Sequence, residues 1–332
     1  MKEKFLSVVV PAYNCLDTLG NVLSSIAVQQ NNNEIEVVIA DDCSTDDYTK
    51  MIEYYSTILS IQYIKLEKNS GPGVARQVGL DHATGKWITF IDADDTMAYG
   101  AYVNVKEVLI QQDPDMLITD FFEQRDDYKS FVPHQNDTVW VHGKYFKHQF
   151  LLDNNIKFHP TLRTHEDIYF NHLVLNTSDK VRVANILTYI WNFQPNSITR
   201  KIYNDCHIYI EEYLGDYIEA TMGPCKKLID ENPAKYKAKL ENLVLMHPLY
   251  LYFYVQSFKY NLPDKWYKDN IKKVKQVLDL AEKWYSAGPN EIYEYIKKSN
   301  VYGMIRQACE RGVGNFIEQQ TFIDFLEECK NA

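Results

Sequence analysis

The sequence predicts an α/β fold: a doubly wound, mostly parallel sheet with helices on both faces, followed by a smaller all-helical C-terminal domain. Three observations carry this reading. Short β-branched runs alternate with amphipathic stretches of helical length up to about Phe122. Those runs are apolar almost throughout, as expected for strands covered on both faces. From about Asp205 onward the apolar period becomes helical, with Pro and Gly punctuation.

Phe5 to Val10, Ile35 to Ala40, Ile61 to Leu66, Trp87 to Ile91 and Met116 to Phe121 read as strands. Helical segments lie between them, around Asp17 to Gln29, Asp46 to Ile58, Val74 to Ala83 and Gly100 to Gln112. The resulting βαβ series requires a mostly parallel sheet. After Phe122 the pattern loosens through the charged stretch EQRDDYKSFVPHQND. A helical segment near Lys144 to Asn155, the loop KFHPTLRTHED and a strand-like run from Val181 to Phe193 complete the first domain. Beyond it, Gly223-Pro224, Pro233, Pro263 and Gly288-Pro289 divide a helical region rich in Tyr, Lys and Glu.

Composition narrows the function classes. The 332 residues suit two domains at about 150 residues each. Hydrophobic residues at 45% and charged residues at 24% exclude a disordered or collagen-like chain. A net charge of −10 argues against general affinity for nucleic-acid backbones, which needs clustered Lys and Arg. The six cysteines form no C-x-x-C pair, so neither a zinc cage nor a secreted disulfide scaffold is signalled and a cytoplasmic location is expected. No apolar run reaches the roughly 20 residues that span a bilayer. The start MKEKFLSVVV, broken by Pro11, is too short for a signal peptide, so any membrane contact is expected to be peripheral. Aromatic residues at 14%, with 25 tyrosines, fit either a tyrosine-rich core or a carbohydrate or partner surface.

In doubly wound sheets ligands bind outside the carboxyl ends of the strands. The loops expected there are PAYN, DDCSTD, NSGPG and DADD. Asp92 and Asp94, one residue apart, can share a hard divalent cation, or can belong to a solvated acidic turn that caps a helix. Asp41 can accept from a nucleobase N–H or a ribose hydroxyl, while Ser44 to Asp46 are expected to cap the next helix. The two glycines of Asn69 to Arg76 permit close approach to the backbone, and Arg76 offers a planar fork of donors. A dinucleotide fingerprint belongs after the first strand, and PAYN stands there, which disfavours a Rossmann dehydrogenase. His165-Glu166-Asp167 offers a carboxylate that can deprotonate a hydroxyl, or acids that complement a helix N-terminus. His165 and His172 lack the H-E-x-x-H spacing of a zinc pair. Asn196 to Lys201 brings hydroxyls and two cations, which suit a diphosphate or an interdomain turn.

Together and in order, SVVVPAYN, IADDCSTDD, NSGPGVARQVGLDHATGKWITFIDADD, THEDIYF and NSITR resemble glycosyltransferase family 2, the large inverting GT-A family, over roughly residues 5 to 201. The resemblance implies a GT-A catalytic domain over residues 1–204, with a nucleotide-sugar half at 1–122 and an acceptor-side half at 123–204. It leaves the helical region 205–332 without a role. It implies that Pro11, Ala12, Tyr13, Asn14 and Asp41 surround base and ribose, with Arg76 nearby. Asp92 would then sit on ribose and metal, and Asp94 chiefly on metal. Glu166 and Asp167 match the catalytic E-D pair, with Asp167 as general base, and Ser197, Arg200 and Lys201 match a phosphate-contacting segment. Cys43 stands where glycine is frequent and Ala93 where serine is commoner, and neither removes a functional group.

The implied reaction is single displacement from a nucleotide sugar, chiefly a UDP-sugar, with Mn²⁺ or Mg²⁺. The acceptor would be a hydroxyl on a glycan, polymer or other molecule, and the transferred group a hexose or N-acetylhexosamine. A catalytically silent nucleotide-sugar-binding scaffold is disfavoured because Asp92, Asp94 and Asp167 stand together. A sugar-1-phosphate nucleotidyltransferase would need a Gly-rich basic loop in place of PAYN. The C-terminal helices are open to acceptor binding, homo-oligomer contact or a membrane surface.

Overall fold

The computed structural model describes residues 4–195, 197, 214–237, 248–249, 252, 264–298 and 319–332. The chain divides into two compact units, residues 1–201 and 202–332. In the first unit the strands are β1 (Leu6–Ala12), β2 (Ile35–Asp41), β3 (Ser60–Lys65), β4 (Trp87–Phe90), β5 (Thr96–Met97), β6 (Met116–Gln124), β7 (Phe131–His134), β8 (Lys144–Lys147) and β9 (Val181–Trp191). Its helices are α1 (Leu16–Ala27), α2 (Thr49–Ser56), α3 (Pro72–His82), α4 (Ala101–Gln112), α5 (His148–Asp153) and α6 (Glu166–Thr177). The sheet order is β3-β2-β1-β4-β8-β6-β9-β5, with β7 on β6. β3, β2, β1 and β4 run parallel. β8 is antiparallel to both β4 and β6, and β6 and β9 are again parallel.

Side-chain alternation places helices on both faces of this sheet. Leu6, Val8, Val10 and Ala12 of β1 pack with Leu19, Val22, Leu23 and Ile26 of α1 and with Ala101, Tyr102, Val105 and Leu109 of α4. The α1 residues recur at i, i+3, i+4 and i+7, the stripe of a one-sided helix. Val9 points the other way, against α3, where a Cβ built on Gly79 would lie 2.4 Å from its Cγ1.

The structure corrects several local expectations. Lys144 to Asn155 is not one helix: Lys144–Lys147 is a strand, and only His148–Asp153 is helical. Phe146 lies between Ile88 and Met116 in the sheet, and the burial of Tyr145 and Phe146 there outweighs their helical spacing. β3 is not covered on both faces. It is an edge strand of exposed and half-buried residues, paired only with β2. α2 begins at Thr49, and Asp46 does not cap it: its Oδ2 accepts from the Leu16 amide at 2.9 Å, at the start of α1. Asp47 instead accepts from the Thr49 amide at 3.0 Å. The short strands β5 and β7 carry no apolar run of strand length and were legible only once paired.

In the second unit every described element of length is helical: Leu214–Glu231, Asp264–Tyr285, Pro289–Lys297 and Gln319–Lys330. Gln319–Lys330 packs against both Asp264–Tyr285 and Pro289–Lys297. Tyr252 meets Phe322 edge-on at 4.9 Å and Phe325 at 5.2 Å, so part of the tyrosine excess is core. Among the described residues no helix is long and apolar enough to cross a membrane.

Two of the helical glycines of the first unit separate propensity from packing. Gly79→Ala is expected to lose about 1–3 kcal/mol by driving a methyl into Val9. Gly20→Ala, whose Cβ would meet Met51 at an ordinary 3.6 Å, is expected to be neutral or to gain up to about 1 kcal/mol. Urea unfolding of the two variants checks both.

Candidate active site

The strand-end loops are tied to one another by short hydrogen bonds. Pro11 and buried Ala12 close β1, and Tyr13 beyond them is 52% exposed. Asn14, in the left-handed region at φ 45°, donates its amide to Ser44 Oγ at 2.9 Å and accepts the Thr45 amide on Oδ1 at 2.9 Å. Buried Asp41 accepts the Ser44 amide at 2.8 Å and the Tyr63 hydroxyl at 2.6 Å, with Lys65 at 3.7 Å. Cys43, where glycine was expected to be frequent, has φ 64°, the region glycine enters most easily.

Asp42, which the sequence reading passed over, accepts the amides of Ser70 at 2.7 Å and Gly71 at 2.8 Å. It thereby fixes the NSGPG turn. Gly71 has φ 93°, and a Cβ on Gly73 would lie 3.0 Å from Glu166 Cβ, so α3 starts hard against the start of α6. Only the doubled aspartate hinted at Asp42, and nothing local marked its partners.

Arg76, on the first turns of α3, is buried and bridges two acids. Its Nη1 donates to Glu166 Oε1 and its Nη2 to Asp92 Oδ1 at 2.5 Å. On its other side Asp92 Oδ2 faces His142 Nε2 at 3.5 Å. Burial disfavours the charge of Arg76, but Asp92 and Glu166 outweigh it and raise its pKa. Burial likewise opposes ionised Asp92, yet Arg76 and His142 hold its carboxyl below the usual range. Burial pushes Glu166 up, against the pull of Arg76. Burial, reinforced by the charge of Glu166, pushes Asp167 up to about 7. Its Oδ1 accepts the Ile168 amide at 2.8 Å at the start of α6.

The acids of DADD have separate situations. Asp95 accepts the Tyr189 hydroxyl and, at 2.8 Å, the Asn192 amide, which ties the end of β4 to the end of β9. Among the described residues no side chain bonds the Asp94 carboxylate. Burial and the nearby Asp92 raise it to about 6. His172 is pushed down to about 4 by burial, as a core histidine should be. Ser197 donates its amide to Gln194 O at 3.2 Å. Arg200 and Lys201 lie outside the described residues.

Residues 7–162 match the family described as glycosyl transferase family 2. The protein carries a family 2 glycosyltransferase domain. Staphylococcus aureus TarS, a poly(ribitol-phosphate) β-N-acetylglucosaminyltransferase, is 27% identical over 199 residues, covering 56% of this chain and 35% of TarS. EpsJ of Bacillus subtilis, an uncharacterised glycosyltransferase, is 24% identical over 216 residues, 58% of this chain and 62% of EpsJ. The matches therefore span between about a third and two-thirds of these relatives. The crystal structure of S. aureus TarS 1–349 with UDP shares the fold at TM-score 0.68 and 19% identity, over 98% of this chain and 90% of that one. The Pyrobaculum calidifontis mannosyltransferase PcManGT, with GDP-Man and Mn²⁺, aligns at TM-score 0.53 and 15% identity, over 100% of this chain and 88% of that one.

The donor set of the family 2 domain fits a divalent cation. Asp94 is a part-buried carboxylate without a side-chain partner, destabilised by the acid beside it, and a cation there would relieve both costs. Ligand atoms of Asp92, Asp95 and His142 also lie within 4.8 Å of one another, although Asp95 is already engaged by Tyr189 and Asn192.

Arg76→Ala would leave buried Glu166 and half-buried Asp92 without their shared cation. Its stability is expected to fall by about 3–5 kcal/mol, measured by urea unfolding at pH 7.

Proposed function

We propose that this protein is an inverting, metal-dependent glycosyltransferase that moves a sugar from a UDP-sugar to an acceptor hydroxyl. The observation that carries the reading is the buried bridge from Asp92 through Arg76 to Glu166, which joins the nucleotide-side D-x-D to the acceptor-side E-D pair. The UDP and UDP-GlcNAc complexes of TarS support a UDP donor, with N-acetylglucosamine the first sugar to test. The Mn²⁺ complex of the mannosyltransferase supports metal dependence.

In this reading residues 1–122 hold the donor and residues 123–204 the acceptor side. Pro11, Ala12, Tyr13 and Asn14 line the base and ribose, and Asp41, oriented by Tyr63 and Ser44, accepts from the base N–H. Asp92 takes a ribose hydroxyl, and Ser197, Arg200 and Lys201 contact phosphate. Mn²⁺ or Mg²⁺ held by Asp94 and Asp92 would supply neutralising charge for the departing diphosphate. Asp167 accepts the proton of the acceptor hydroxyl as that oxygen attacks the anomeric carbon, and the single displacement inverts the centre. A base near pKa 7 combines a useful ionised fraction with real proton affinity at neutral pH. Among the described cysteines Cys15, Cys43, Cys225 and Cys329 are unpaired, which suits work in the reducing cytoplasm.

Because Asp167 must be ionised, kcat/KM should rise with pH and level off above about 7. Asp167→Asn should keep UDP binding by calorimetry but lose about 10²–10⁴-fold in transfer; transfer at the wild-type rate would remove it as base. The same raised pKa costs fold stability as pH climbs, so the advantage of Asp167→Asn over wild type in thermal melts should grow from about pH 4 to pH 7 and then stay flat. Asp94→Ala should abolish Mn²⁺-dependent release of UDP from UDP-GlcNAc, and equal turnover would sink the metal assignment.

A further inference from the structure

His142 lies outside every motif that the sequence pointed to, yet it reaches the centre of the site. The ring is buried among aromatics. It is nearly parallel to Tyr189, at 4.4 Å and 14°, and to Trp140, at 5.8 Å and 11°. Phe121 meets it edge-on at 5.4 Å, and Trp191 lies at 5.4 Å. Its Nδ1 has no partner, so packing rather than a hydrogen bond sets the ring plane.

The backbone that delivers the ring is pinned as well. Gly143, the next residue, has φ 63°, and a Cβ there would lie 2.9 Å from Thr119 O. The Thr119 amide and hydroxyl both donate to Gly143 O, at 2.8 and 2.7 Å. A side chain at 143 would have to open this contact with β6 and carry His142 with it.

The unpartnered Nδ1 also selects the tautomer. A buried N–H without an acceptor costs more than a bare lone pair, so the proton belongs on Nε2, which faces Asp92 Oδ2 at 3.5 Å. Arg76 holds the other oxygen, Oδ1, at 2.5 Å. Arg76 bonds one oxygen of the carboxylate and the His142 ring faces the other.

We propose that His142 is a positioning residue for the donor site: it holds the Asp92 carboxylate, opposite Arg76, in the orientation that receives the ribose of a nucleoside diphosphate. This rests on the reading of Asp92 as a donor-site carboxylate. His142 itself touches neither sugar nor phosphate in this scheme. Its loss should therefore appear in nucleotide affinity and in KM more than in kcat.

Two substitutions separate the nitrogen from the stack. His142→Phe keeps an aromatic ring between Tyr189 and Trp140 and removes the donor, while His142→Gln keeps a donor and removes the ring. His142→Phe should melt close to wild type without ligand, bind UDP with Mn²⁺ about tenfold more weakly by calorimetry, and raise KM for UDP-GlcNAc about tenfold with a smaller change in kcat. His142→Gln should melt lower yet recover part of the UDP affinity. In a cycle with Asp92→Ala, adding His142→Phe should weaken UDP binding no further, because the group it acts through is gone. Wild-type UDP affinity and KM in His142→Phe, affinity that tracks only the melting temperature across both variants, or full additivity with Asp92→Ala would each overturn the proposal alone. A wild-type protein that binds no UDP would overturn the donor reading together with it.

Discussion

A buried guanidinium organises the first unit. Arg76 sits inside the protein on α3 and bonds Asp92, 16 residues on, and Glu166, 90 residues on. An isolated buried cation is strongly unfavourable, and only close carboxylates in fixed positions offset it. The end of β4, the start of α3 and the start of α6 are therefore mutually dependent. The missing side chains at Gly71 and Gly73 permit the close approach this needs, with Arg163 and Glu166 occupying the space that Cβ atoms would take. The same cation sets the charge states: it holds Asp92 ionised and opposes the burial that raises Glu166 and Asp167.

The acidic loops are not uniform clusters. Asp42, Asp46 and Asp95 spend their oxygens on backbone amides of other loops and are structural. Asp94 and Asp167 carry raised pKa values from burial and neighbouring acids. Much of the net charge of −10 is consequently internal bookkeeping of loops and site, and says little about the outer surface.

Aromatic residues do the supporting work behind both sides of the Arg76 bridge. Phe158 stacks on Phe170 of α6 at 4.2 Å, and Phe90 and Phe146 meet Phe170 edge-on at 5.7 and 5.2 Å. This cluster seats α6, and with it Glu166 and Asp167, on β4 and β8. On the other side, Tyr189, Trp140 and Phe121 seat His142 against Asp92. These aromatic residues of the first unit fix charged groups within a dry interior.

By itself the sequence determined a βαβ series with a mostly parallel sheet, the helices on its faces, the helical character of the C-terminal region, and the candidates Asp41, Arg76, Asp92, Asp94, Glu166 and Asp167. Those features are local: a period of two or 3.6 residues, and polar loops directly after apolar strands, are written within a few residues of one another. Tertiary structure alone decided that Lys144–Lys147 is a strand between β4 and β6, that Asp46 serves α1, that Asp42 and Asp95 are braces, and that His142 meets Asp92. In each case a partner lies between 28 and 97 residues away, as for Asp42 with Ser70 and Asp95 with Asn192. No local period encodes such pairs. They exist because burial in one compact unit leaves each polar atom only the neighbours the fold supplies.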